Sequence, residues 1–195
     1  LDIDELNENY LVFSNGFHID GFIRLESTTE DIVSVGMPFM GFYGNWTKAP
    51  VFDSTVYDDG GSKLNYVDKG IYGTFLYSVS GDEVVILGYN AISDTYNSDA
   101  IAISPDGDGY NDVLALLFIP MRSIRDLDIM IVDENENILS VQEEEVISKY
   151  IPYETEIEIP ENIPDGSYSL KLDGYMNYDT DNSLKHTLSI PFKVD

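Results

Sequence analysis

Ser167-Tyr168-Ser169-Leu170-Lys171-Leu172 alternates polar and apolar residues with a period of two. Tyr168, Leu170 and Leu172 fall on one side of an extended chain, and Ser167, Ser169 and Lys171 on the other. That is the pattern of a strand with one buried face. The alternation returns in Leu188, Ile190, Phe192 and Val194 against Ser189, Pro191 and Lys193. It returns again in Leu127, Ile129 and Ile131 against Asp126, Asp128 and Met130, and in Ile157 and Ile159 against Glu156 and Glu158. Val84-Val85-Ile86-Leu87 and the run 113–119 predict strands buried on both faces, or short strands with one wet end. Asn15-Gly16, Asp20-Gly21, Asp59-Gly60-Gly61, Asp165-Gly166 and Asp173-Gly174 read as turns, because such pairs supply positive φ angles. Strands punctuated by turns predict an all-β protein of sandwich type. The one helical stretch is 143–150, which equally fits a strand with a charged edge.

Composition narrows the partners. The 195 residues suit one or two domains, and 43% apolar residues suffice for a core. The 14 Tyr and 9 Phe favour pleated sheets. Against 36 acidic residues stand 10 basic ones, a net charge of −26. Such a surface repels phosphate backbones and anionic lipid, so neither nucleic acid nor a membrane surface is expected as partner. The same field attracts divalent cations. With no cysteine, disulfide and thiolate chemistry are excluded. No run of spanning length and no signal peptide is present, so no membrane insertion is expected. The chain starts at Leu1 without a methionine and reads as a piece of something longer.

Residues 93–99 are polar and unpatterned, as a linker should be. A boundary there leaves roughly a hundred residues on each side, the size of an immunoglobulin-like sandwich. The expected architecture is therefore two immunoglobulin or fibronectin type III-like β-sandwich domains in tandem, residues 1–98 and 99–195.

Just past that boundary stands Ser104-Pro105-Asp106-Gly107-Asp108-Gly109-Tyr110-Asn111-Asp112. Asp106, Asp108 and Asp112 sit at offsets 0, 2 and 6, with the Tyr110 carbonyl at offset 4. Oxygens at that spacing on a glycine-rich turn can wrap a hard cation, and calcium is the candidate cofactor. The loop is not an EF-hand, since offset 11 is Leu117 rather than a bidentate Glu. The competing reading is a solvated turn whose Asp side chains cap their own backbone amides. Asp99 is a possible further ligand.

Three segments taken in order resemble a known family. They are Asn15-Gly16-Phe17-His18-Ile19-Asp20-Gly21-Phe22-Ile23-Arg24-Leu25, then Met37-Pro38-Phe39-Met40-Gly41-Phe42-Tyr43-Gly44-Asn45-Trp46 with Ala49-Pro50-Val51-Phe52-Asp53, then Ser104-Pro105-Asp106-Gly107-Asp108-Gly109. They are similar to the fibronectin type III-like region of cell-envelope subtilisin-like serine proteinases, the family of lactocepin and the streptococcal complement-degrading peptidase. Pro164-Asp165-Gly166-Ser167-Tyr168 is similar to a hairpin of that family, and residues 188–195 to its last strand. One departure is Asp106, where the family carries asparagine.

The resemblance implies a non-catalytic accessory or spacer fragment of a surface protease. Its partners would be the upstream protease domain and protein substrates or host proteins, and its location extracellular, at the cell wall. It also implies that the first sandwich lacks upstream strands, leaving an exposed sheet edge able to pair with another copy. The alternative is a free-standing adhesin or carbohydrate-binding module.

Other chemistry has less footing. A serine triad needs a base, and only His18 and His186 exist, with no Gly-x-Ser-x-Gly elbow near either. Both read as surface or packing histidines, and without cysteine they make a poor zinc set. No carboxylate pair is singled out for glycoside hydrolysis. Phe39, Phe42, Tyr43 and Trp46 read as core packing around a tight turn at Gly41 and Gly44, or else as a sugar or peptide platform. Asn45-Trp46-Thr47 matches a glycosylation sequon, which carries no meaning in the bacterial protein the resemblance implies. Glu143-Glu144-Glu145 reads as a solvated charged face, with docking of a basic peptide as the other use.

Overall fold

The computed structural model describes residues 2–14, 16–29, 32–58, 73–81, 83–179 and 184–195. Asn15 and the expected Asp59-Gly60-Gly61 turn lie outside the described residues. Strands dominate, and the chain divides into two units, Leu1–Ala49 and Pro50–Asp195.

The first unit holds a helix, α1 (Ile3–Val12), and a two-stranded antiparallel sheet of β1 (Phe17–Leu25) and β2 (Val35–Tyr43). The helix was not expected from the sequence. Its signal is Asp2 with Glu5 three residues on, followed by Ile3, Leu6 and Tyr10 at helical spacing. Asp2 caps the helix, its Oδ1 accepting from the Asp4 amide at 2.9 Å. The sheet pairs Phe17 with Tyr43 through Leu25 with Val35, so one face is apolar from end to end. The rings of Tyr10 and Phe13 cover the Phe17–Tyr43 end of it. Ile23, Leu25, Val35 and Met37 at the other end stay exposed. Among the described residues this unit has no buried side chain and no second sheet.

In the second unit a five-stranded sheet and a four-stranded sheet share one core. The first sheet runs β10 (Ile138–Ile147), β9 (Ile124–Asp133), β12 (Gly166–Met176), β13 (His186–Val194), β7 (Ala102–Ile103). Its pairs are antiparallel except β13 with β7. The second runs β11 (Tyr153–Glu156), β8 (Ala115–Phe118), β3 (Phe75–Ser80), β4 (Glu83–Ile86), all antiparallel. A small hairpin, β5 (Tyr89–Asn90) with β6 (Thr95–Tyr96), follows β4. Leu76, Leu116 and Phe118 from one sheet pack with Ile129, Ile131, Leu170, Leu172, Ile190 and Phe192 from the other, all but excluded from solvent. The alternation read in β9, β12 and β13 is thus the inner face of the larger sheet.

Three expectations need correction. The seam between residues 98 and 99 divides nothing, because β3 pairs with β8 across it, Phe75 opposite Leu117 and Leu76 opposite Leu116. Residues 93–99 are polar because they cross the surface as part of β6 and a 3-10 turn at Ser98–Ala100, and they lead straight to the buried Ile101. The described residues therefore hold one two-sheet core where two were expected.

Of the two alternatives for 143–150, residues 143–147 take the strand, since β10 continues in register with β9 to Ile147 opposite Ile124. Asp20-Gly21 and Asp173-Gly174 lie inside β1 and β12, where pairing on neighbouring strands overrides local turn preference. Finally, 157–159 lies beyond the end of β11, although Ile157 is buried; β4 takes the wet-ended alternative, a short strand at the sheet edge with Val84 exposed.

The β9–β10 turn is held by one carboxylate. Asp133 Oδ1 accepts from the amides of Asn135 and Asn137, each at 2.8 Å, and Oδ2 accepts from Asn137 Nδ2 at 2.8 Å. The Asn137 side chain, then its backbone amide, holds the Asp133 carboxyl below its ordinary value of 3.8. Folding lowers this pKa, so the stabilisation is present above the unfolded value and is lost as pH falls through the folded one. Thermal scans of the chain and of Asp133→Asn should therefore differ at neutral pH and converge in strong acid. A gap that is constant with pH would contradict this.

Candidate functional site

The expected calcium loop is built by a strand end and a hairpin that are far apart in sequence. After β7 the chain turns through Gly107 (φ 84°), Gly109 (φ 90°) and Asn111 (φ 56°), conformations that glycine and asparagine reach at low cost. The Ser104 amide donates to the Asn111 carbonyl at 2.9 Å and closes the loop. The tip of the β3–β4 hairpin buttresses it. Ser80 bridges Tyr110, the Gly81 amide donates to the Gly109 carbonyl at 2.9 Å, and Ser80 Oγ donates to Asn111 Oδ1 at 3.0 Å.

Asp106, Asp108 and Asp112 converge, each offering an oxygen within 4.8 Å of the others. Among the described residues this is the one such group of three or more His, Cys, Asp or Glu. Asp106 and Asp108 are exposed and Asp112 is half-buried. Asp112 accepts from the Gly107 amide at 2.7 Å through Oδ1 and from the Gly109 amide at 2.6 Å through Oδ2. Asp106 Oδ1 accepts from the Asp108 amide at 3.0 Å, and Asp108 Oδ1 from the Tyr110 amide at 2.8 Å.

These self-capping bonds are the ones the solvated-turn reading requires. They also leave each of those oxygens a second lone pair, so backbone capping and cation ligation are compatible. Tyr110 is held beside the group by its bridge to Ser80 and by its amide, which donates to Asp108 Oδ1, while the residue is largely exposed. Asp99 does not join the group. Its amide donates to Asn97 Oδ1 at 2.9 Å, and its carbonyl accepts from Lys193 Nζ at 3.1 Å.

The remaining candidates separate. His18 and His186 belong to different units. His18 touches the rings of Phe42 and Trp46. His186 opens β13, and burial, then the positive charge of Arg122, lowers its proton affinity. Phe42 and Trp46 stack edge to face at 4.6 Å, with Trp46 47% exposed, so the aromatic motif lies at the surface of its unit rather than in a core. Gly44 does turn, at φ 140°, and the site needs glycine because a Cβ there would lie 2.6 Å from Gly16 Cα, whereas Gly41 is a strand residue opposite Ile19. The Glu143-Glu144-Glu145 run splits across β10, with Glu143 and Glu145 exposed and Glu144 half-buried.

A clasp between the two sheets leaves no local pattern in the sequence. Gln142 Nε2, on β10, donates to Thr155 Oγ1, on β11, at 3.0 Å. The phenol of Tyr153 is pushed up to about 12, by burial first and then by its hydrogen bond and repulsion with Glu144. Among the described residues no helix is long and apolar enough to cross a membrane. No protein-family pattern matches this chain, and no curated protein matches it.

Proposed function

We propose that this chain is a non-catalytic accessory segment of a surface subtilisin-like serine protease. It is built on fibronectin type III-like sandwiches, works outside the cell, spaces and orients the catalytic domain, and contacts protein substrates or host proteins. The observation that carries the fold part of this reading is the strand arrangement from β7 to β13. Strands β10, β9, β12, β13 and β7 form one sheet, β11 and β8 belong to the other, and the Tyr168 hydroxyl donates to the Pro164 carbonyl at 2.7 Å just before and within β12. That hydroxyl-to-backbone bond at the entry to a central strand is similar to the tyrosine corner of immunoglobulin-like sandwiches and supports this reading. The protease part rests on the sequence resemblance alone.

In this reading the β1–β2 hairpin belongs to a neighbouring sandwich. An isolated hairpin is marginal in water, and its bare apolar face calls for a further layer. The loop at 106–112 takes calcium, which would stiffen the region where β7 and the β3–β4 hairpin meet. The mechanism is geometric: a rigid β module sets the distance and angle of whatever it carries.

The purified chain should give no turnover of casein or polysaccharide, and its gene should encode a Ser/His/Asp protease domain upstream. Reproducible turnover, or a frame without that domain, would overturn the proposal. The exposed Phe42–Trp46 pair favours one second reading, a carbohydrate-binding or adhesin module. Glycan-array binding that is lost in Trp46→Ala would select it.

A further inference from the structure

The β1–β2 hairpin divides its chemistry between two faces. Every second pair of the register, from Phe17–Tyr43 to Leu25–Val35, lies on one of them, and none of those ten positions is charged. The opposite face carries His18, Asp20 and Arg24. Tyr10 and Phe13 cover only the Phe17–Tyr43 end of the uncharged face. At its other end Ile23 is 46% exposed and Leu25 67%. Val35 and Met37, beside them, are 58% and 56% exposed. Of the 27 large hydrophobic side chains exposed among the described residues, 13 lie in Leu1–Ala49, so the exposure belongs to this unit rather than to the surface at large.

Area and charge together say what covers the face. Phe13 beside its covered end, and Ile32 and Val33 in the β1–β2 connection, are exposed as well. With roughly 60–120 Å² left to bury on each, these three and the four open strand residues offer about 400–800 Å² per copy. A specific interface takes about 500 Å² from each partner, and a standard one about 800 Å². Copies that each carry a net charge of −26 repel one another, so they meet most readily where charge is absent. Gly41, with open space where a Cβ would stand, leaves a recess beside Ile19 for a side chain of the facing copy. Two such faces stacked about 10 Å apart give four strands and a dry interior, which one hairpin cannot supply.

We propose that the chain forms a symmetric dimer in which the uncharged faces of two β1–β2 hairpins stack on each other. The proposal rests on the reading that the hairpin belongs to a further sandwich, and it names a second copy as the source of the other layer.

The test is analytical ultracentrifugation of the full chain over a wide range of concentration, with two double variants. Val35→Thr/Met37→Thr makes the open face polar with a residue that suits strands. Phe22→Thr/Met40→Thr makes the same kind of change on the opposite face, where both side chains are exposed. The expected result is an equilibrium between one chain of 21.9 kDa and a dimer. The first double variant should weaken it about ten-fold or more, and the second less than about two-fold. Added salt should tighten it, because screening removes the repulsion and leaves the apolar contact. In the wild-type chain the Met37 methyl resonance should shift with concentration while that of Met40 stays, a readout that holds even where a variant loosens the hairpin. A mass of one chain at every concentration would overturn the proposal. So would equal weakening by both double variants, growth past the dimer, loss of the dimer in salt, or a shift at Met40 instead of Met37. None of these outcomes bears on the protease-spacer reading, which the upstream gene decides.

Discussion

A fragment comprising residues 99–195 is expected not to fold stably, whereas Pro50–Asp195 is expected to unfold as one cooperative unit. The shorter fragment loses Val51, Phe52, Leu76 and Leu87, all buried in the shared core. Each such side chain contributes about 1.5–3 kcal/mol by burial. Together they rival the whole net stability of a domain, about 5–15 kcal/mol. Cutting there also strips β3 from β8 and uncovers the backbone edge of a central strand. It removes Ser80 and Gly81, which hold the 106–112 loop. Urea denaturation followed by circular dichroism checks this. Equal midpoints and cooperative transitions for the two fragments would mean that β3 and β4 are dispensable.

The second large effect is expected from Phe118→Ala. The Phe118 ring is fully buried, 5.7 Å from Phe52 and 5.4 Å from Tyr153. It joins the segment before β3 to the edge strand β11 across β8. Truncation should cost about 3–5 kcal/mol, because the surrounding strands are held by their ladders and cannot collapse into the space. A loss below about 1 kcal/mol in the same denaturation experiment would place Phe118 outside the core.

Much of the larger sheet was legible in the sequence because one buried face writes a period of two. Tyr168, Leu170 and Leu172 in β12, like Leu188 to Val194 in β13, needed no knowledge of their partners. The charged run of β10 was ambiguous, since Glu143 to Glu145 lie at the sheet edge where no buried face imposes a period. Helix α1 was missed although its Asp2 cap and Glu5 stand in the sequence. The misplaced seam has a physical cause as well. Polarity in residues 93–99 marks exposure to water, and exposure does not distinguish a linker from a turn crossing the surface of one unit.

The candidate site divides in the same way. The spacing of Asp106, Asp108 and Asp112 is local, so the sequence reports it. The Ser80–Gly81 buttress joins residues about thirty positions away, and the Gln142–Thr155 clasp joins strands of two different sheets. Such long-range contacts leave no local pattern to read.

The loop assignment is tested most directly by thermal unfolding of the chain in calcium and in a chelator, with Asp108→Ala alongside. A ligand that binds only the folded state at a hundred times its Kd adds about 2.7 kcal/mol. For a unit of this size that is a rise of roughly 5–10 °C. The account predicts such a rise in the transition of Pro50–Asp195 and its loss in Asp108→Ala. No rise, or an equal rise in the variant, would leave residues 106–112 as a self-capped turn and remove calcium from the account.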